Sequence, residues 1–213
     1  MRKELHAMSE QNTPRTPVIA KVFPFISAGL MFILITLILV ALIPGSNQIY
    51  TPFFSRLMQS SISIKLIELL CAVMQFFVVC GILLYGVGTA VGRKSGPSLC
   101  GVGLFILAAL RFIQLVTNNL SGLSLFWSVL ILAAFILTAL YYALKGKGVN
   151  QLVKLIAAIV SIAVTLIMLI QSLISAIRFD IPGWVIIRWF LEDCAYTLLW
   201  ISVILHSPFK KTA

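Results

Sequence analysis

Two histidines and six acidic residues are all that 213 positions offer for acid–base or metal chemistry. His6 falls in a polar N-terminal stretch and His206 at the end of the last apolar run, so neither is placed to ligate a haem, which needs axial ligands buried inside a bundle. No H-E-x-x-H pair and no G-x-S-x-G elbow occurs, which removes the zinc-protease and serine-hydrolase constellations. Asp180 and Asp193 are the only aspartates, one in a loop and one in an expected helix, a poor basis for an aspartyl dyad. The four cysteines, Cys71, Cys80, Cys100 and Cys194, lie in apolar runs without a C-x-x-C pair. They read as small buried residues, not as a zinc site or a disulfide framework. The expectation is a non-enzyme with no catalytic residue, no metal ligands and no cofactor.

Charge is scarce as well. Asp, Glu, Lys and Arg make up 10% of the chain, hydrophobic residues make up 61%, and the mean hydropathy is +1.08. Soluble domains are about 45–50% apolar, and surface-to-volume scaling limits how much more a chain of this length can bury. The composition therefore implies an all-α, polytopic integral membrane protein.

Six stretches reach the roughly 20 apolar residues that a spanning helix needs: 22–43, 64–91, 99–117, 124–144, 152–177 and 184–205. The intervening "IPGSNQ", "GRKSGP", "NNLSG", "KGKGVN" and "FDIPG" carry turn chemistry. Residues 1–21 read as a polar cytoplasmic tail, 22–206 as one transmembrane domain, and 207–213 as a short basic tail. The first apolar run exceeds the ~7–15 residues of a signal peptide, and "VALIPGS" is a poor cleavage site, so an uncleaved first span is expected.

Lysine and arginine in short loops set orientation. With the N-terminus inside, Arg2, Lys3, Arg15, Lys21, Arg93, Lys94, Lys145, Lys147, Lys154, Lys210 and Lys211 are cytoplasmic, against Arg56, Lys65, Arg178 and Arg188 outside. The bias predicts a six-helix bundle with both termini in, and the expected location is a bacterial cytoplasmic membrane. The formal charge of +10 is then a topology signal with a secondary attraction to anionic lipid, and no nucleic-acid motif accompanies it. Glu4 and Glu10 lie in the tail, whereas Glu68, Asp180, Glu192 and Asp193 gather at the outer end.

Against this background Arg111 stands out, a permanent cation within the third span with Gln114 one turn later. Helical spacing extends the pattern. Lys65, Glu68, Ala72 and Gln75 share one stripe of the second span. Arg111, Gln114 and Asn118 share one in the third, Gln171, Ser175 and Arg178 one in the fifth, and Arg188, Glu192 and Tyr196 one in the sixth, with Ser172 and Asp193 beside them. The first and fourth spans offer only Ser27, Thr36, Ser128 and Thr138. The layout expected is four polar-striped spans around a shared interior, with the first and fourth as lipid-facing scaffold.

Arg111 lies about 9 Å from the outer end of its span and Glu192 about 12 Å into the sixth, at 1.5 Å per residue. An isolated charge in hydrocarbon costs about 3 kcal/mol on insertion scales. Pairing with Glu192 or Asp193 would relieve much of that cost. The candidate set, serving either ligand binding or an intramembrane ion pair, is Arg111, Gln114, Glu68, Gln75, Gln171, Arg178, Glu192, Asp193 and Tyr196.

Three further features read as structure. "GVGTAVG" at 86–92 lies within a helix and not between a strand and a helix, so it is no phosphate loop, while Gly88 and Gly92 form a GxxxG packing pair. Gly101, Gly103, Ala108 and Ala109 imply close packing of the third span. Trp127, Trp184, Trp189 and Tyr50 at the outer interface, and Tyr141 and Tyr142 at the inner one, read as an aromatic belt, with Trp200 as packing. "AALRFIQ" and "SAIRFDI" hint at duplicated hairpins.

In size, span count and topology the chain is similar to the substrate-binding membrane subunits of vitamin and metal uptake systems, without a shared motif. The expected function is a small transport component binding a polar or charged solute in an outward-facing pocket around Arg111. The alternative is a non-catalytic assembly or accessory subunit, with a membrane or cytoplasmic partner, whose intramembrane charges are structural pairs.

Overall fold

The computed structural model describes residues 17–40, 64–91, 95–117, 122–144, 149–179, 181 and 183–206. The regular structure among them is entirely helical: α1 (Val18–Val40), α2 (Ile64–Val91), α3 (Gly96–Thr117), α4 (Gly122–Ala143), α5 (Gln151–Arg178) and α6 (Gly183–Leu205). Five of these, α1 to α5, are long and apolar enough to cross a membrane. The sixth forms as expected but falls outside that class. Arg188, Glu192 and Asp193 are spaced so that every 18-residue stretch of α6 contains all three.

The boundaries have local causes. Helix α1 starts four residues before the expected span, because the Pro17 carbonyl accepts the Ala20 N–H at 3.0 Å and opens the first turn. Gly122 begins α4 with a φ of 59°, a left-handed conformation that costs glycine little. Asn150 caps α5, its side-chain oxygen accepting the Leu152 N–H at 3.1 Å.

Each helix packs on its chain neighbours, and α1 packs on α6, so the six close into a ring in chain order. Two seams set its geometry. Between α2 and α3, a Cβ on Gly103 would strike the Gly81 carbonyl, and one on Gly88 would lie 2.6 Å from the Gly96 carbonyl oxygen. The contacts are two turns apart on both helices and run in opposite directions, so the pair is antiparallel and approaches backbone to backbone. Gly88 thus packs as its motif implied, but against Gly96 and Cys100; its motif partner Gly92 lies outside the described residues. Gly101, Gly103 and Ala108 are buried, as close packing of this span requires, whereas Ala109 is exposed.

The α1–α6 seam uses hydroxyls. Ser27 Oγ donates to the Ala195 carbonyl at 2.7 Å, and Ser202 Oγ to the Ala20 carbonyl at 2.5 Å. Again the steps are two turns and antiparallel. Ala20 is the residue whose carbonyl Pro24, four positions on, cannot engage for want of an N–H. Ser202 supplies from the neighbouring helix the donor that the proline removes.

Aromatic side chains fill the ring. Phe135 of α4 lies 4.7 Å from Trp200 and 6.1 Å from Tyr196, both of α6, and Tyr85 of α2 meets Tyr142 of α4 at 6.0 Å. Trp200, Phe135 and Tyr85 are fully buried, so Trp200 packs as its depth in the sequence implied. The outside is apolar: Phe32, Phe76, Phe112, Phe126, Ile170 and Ile187 are each more than half exposed. Contiguous apolar surface on this scale marks an interaction with lipid or protein.

Ser202→Ala is expected to cost about 1–3 kcal/mol, the penalty for a buried acceptor left without a donor. Pro24→Ala in the same chain should recover most of that loss, because residue 24 then donates to Ala20 within α1. Thermal unfolding of the two single variants and the double variant measures the coupling, and additive losses would contradict the assignment.

Candidate functional site

Arg111 sits in the last two turns of α3, half-buried, and lines two adjoining lobes of one cavity between α3, α4, α5 and α6. The larger lobe, of about 290 Å³, adds Gln114 and Leu115 from α3, Ser124, Trp127, Ser128 and Ile131 from α4, Met168 and Gln171 from α5, and Glu192 from α6. The smaller, of about 180 Å³, shares Arg111, Ile131, Met168 and Glu192 and adds Thr165, Ser172, Trp189 and Asp193.

Arg111 Nη1 donates to Gln114 Oε1 at 2.8 Å, the one-turn pairing that their spacing allows. Its guanidinium carbon lies 4.4 Å from the centroid of the Tyr196 ring, a cation–π seat worth about 2 kcal/mol when desolvated. Its Nε is buried with no hydrogen-bond partner among the described residues. Glu192 and Asp193 act on it electrostatically, but the expected direct ion pair is replaced by the tyrosine face and the glutamine. The reason is geometric: Tyr196 lies one turn beyond Glu192 on α6, deeper in the ring, and its ring takes the position against the guanidinium.

Of the candidates read from the sequence, the fold brings Arg111, Gln114, Gln171, Glu192, Asp193 and Tyr196 to this region. It leaves others apart. Gln75 is buried on α2 with its Oε1 unpartnered among the described residues, and it does not line the cavity. Arg178 is exposed at the end of α5, its guanidinium 6.0 Å from the Phe179 ring. Arg111 and Arg178 therefore occupy unlike environments despite their similar flanks. The side chain of Glu68 lies outside the described residues.

The division into polar-striped and scaffold helices needs correction. No described side chain of α2 is among the lining, and α4 contributes four residues. Ser128 faces the cavity, and Trp127 and Trp189 line it as well as lying near one end of the bundle. Ser27 reaches across to α6, while Thr138 is buried without a partner among the described residues. Only Thr36 of these four bonds its own helix, at 3.1 Å to the Phe32 carbonyl.

A second polar cluster lies at the opposite end. Lys154, counted in the sequence among the cytoplasmic charges, is in the first turn of α5 and only 1% exposed. Its Nζ lies 4.6 Å from the Tyr141 ring centroid and 5.1 Å from that of Tyr142. Those tyrosines, read as belt residues, form its seat. Cys100 Sγ donates to the Tyr85 carbonyl at 3.5 Å nearby, and none of the four cysteines is in a disulfide. His206, just past α6, stacks near Tyr142 at 5.9 Å, its Nδ1 buried without a partner. Burial, then the positive charges of Lys154 and Lys21, pull its pKa down to about 4. Among the described residues no group of three histidine, cysteine or acidic side chains could hold a metal ion.

Comparison with models of known families, with curated proteins and with solved structures finds no match for the chain.

Two outcomes follow. A double-mutant cycle of Arg111→Met and Tyr196→Leu should show a coupling of about 1–2 kcal/mol in thermal unfolding, and Tyr196→Phe, which keeps the ring, should retain most of it. For His206, a folded-state pKa below the unfolded value means that its contribution to stability is complete above about pH 6.5 and is lost as pH falls toward 4. The melting temperature of His206→Gln should therefore fall less than that of the parent between pH 7 and pH 4.5; parallel profiles would contradict the placement of the imidazole.

Proposed function

We propose that the chain is a multi-pass membrane protein of six spans with both termini cytoplasmic, and that it acts as a small transport component binding a polar or charged solute in the cavity around Arg111. The observation that carries this reading is the cavity itself. An otherwise apolar bundle gathers Arg111, Gln114, Gln171, Glu192 and Asp193 around space for a small molecule. Intramembrane charges that face a cavity mark solute or ion pathways far more often than they mark packing, and convergent polar groups in a concave apolar setting are the ordinary form of a ligand site.

The orientation is supported by two facts. The start of α1 lies beside the end of α6, through the Ser202–Ala20 bond, so the chain enters and leaves the ring at one end. The C-terminal ends of α2 and α4, which Arg93, Lys94, Lys145 and Lys147 follow in the sequence, lie at that same end, and the Arg111 cavity lies toward the other. With the positive loops cytoplasmic, the cavity faces outward.

A second reading, an accessory subunit with structural charges, draws on the fact that Arg111 already has Gln114 and Tyr196 as partners. A thermal-shift screen of the detergent-purified chain against polar solutes, run in parallel on Arg111→Ala, separates the two. A solute at 100 times its dissociation constant adds about 2.7 kcal/mol. The transport reading expects such a shift in the parent and its loss in a folded Arg111→Ala. No shift with any solute, together with a strongly destabilised variant, favours the accessory role.

A further inference from the structure

The charged groups that line the cavity are sorted by sign, a guanidinium on α3 and carboxylates on α6. Donors stand on the α3 side: Arg111, with its Nε still free of acceptors, and Gln114, whose carbonyl oxygen is taken by Arg111 so that its amide N–H groups remain to donate. Acceptors stand on the α6 side. Glu192 lines both lobes, and Asp193 lines the smaller one with Trp189. Ile131 and Met168, common to both lobes, offer apolar surface between them.

The charges also balance. Arg188 is buried one turn before Glu192 on α6. The described charged groups of α3 and α6 are thus Arg111 and Arg188 against Glu192 and Asp193. A ligand of net charge would unbalance a low-dielectric interior, where an uncompensated charge is expensive. A neutral ligand with separated charges leaves the balance intact and satisfies both walls. The larger lobe alone, of about 290 Å³, holds a solute of some ten heavy atoms, at about 30 Å³ for each water-sized group.

We propose that the ligand of this site is a small zwitterion of amino-acid size. Its carboxylate is held by Arg111 and Gln114, its ammonium by Glu192 and Asp193, and its apolar side chain lies against Ile131 and Met168. This rests on the solute-binding reading and narrows it to one chemical class.

Three probes with the same branched apolar end test it: L-leucine, 3-methylbutylamine, which lacks the carboxylate, and 4-methylpentanoate, which lacks the ammonium. They are titrated calorimetrically into the detergent-purified full chain, with glucose and inorganic phosphate as unrelated solutes. L-leucine is expected to bind at least tenfold more tightly than either analogue. Asp193→Asn should weaken L-leucine and 3-methylbutylamine about tenfold and leave 4-methylpentanoate unchanged, a pattern that general loss of folding does not produce.

Equal binding of 4-methylpentanoate and L-leucine, indifferent to Asp193→Asn, would overturn the zwitterion assignment and leave a solute site for anions. So would binding of glucose or phosphate that depends on Arg111 while L-leucine stays silent. Silence of all five probes would overturn the assignment together with the solute-binding reading.

Discussion

Two hydroxyl groups hold the last helix to the first, and the rest of the bundle takes its geometry from that closure. Ser27 and Ser202 bridge α1 and α6 two turns apart, each donating to a main-chain carbonyl of the other helix. The second of these carbonyls is stranded by Pro24. In an apolar interior a carbonyl without a donor is costly, so the position of α6 against α1 is set by a chemical requirement as well as by shape. Once α6 is fixed, Trp200 and Tyr196 point at Phe135 in the centre of the ring, and the Tyr196 face lies where α3 delivers Arg111. The cavity wall is thus the far end of a chain of contacts that starts at a proline.

Two of the inward-facing cations are seated alike. Arg111 rests on Tyr196 at one end of the bundle, and Lys154 on Tyr141 and Tyr142 at the other. An aromatic face offers negative potential without bringing in a charge that itself needs solvation. The difference lies in the surroundings. Around Arg111 there are carboxylates, a glutamine and open volume, whereas Lys154 is enclosed among rings, a thiol and hydroxyls. One cation is presented to a space and the other is sealed in.

Helix positions were legible in the sequence because apolar length is a strong and local signal; α2 coincides with its expected span, and the ends of α4 and α6 differ by a residue or two. The stripes of α3 and α6 were legible for the same reason, since a charge at helical spacing in an apolar run has few places to go, whereas of the α5 stripe only Gln171 lines the cavity. The contribution of α4 was not. Serine and tryptophan are tolerated at lipid surfaces, so Ser124, Ser128 and Trp127 carry no sign of which way they face. Gln75 and Arg178 show the converse, polar residues on a stripe that the ring turns away from the cavity. The partner of Arg111 was misread because opposite charge is visible in a sequence and an aromatic face offered to a cation is not. The burial of Lys154, counted in the sequence only among the cytoplasmic charges, was not legible because its tyrosine seat is two positions in another helix.

The sparse apolarity of α6 has a consequence for how such a chain is made. Each charged residue near the middle of an inserting helix costs about 3 kcal/mol, and α6 carries three of them within one turn and a half. It follows the other five described helices from the ribosome, and it is the one of the six that is not apolar enough to cross a membrane by itself. Its hydroxyl partner, α1, precedes it in the chain by more than 140 residues. The inner flank of α1 therefore stays vacant until α6 has been made, and only the arrival of α6 makes that flank dry.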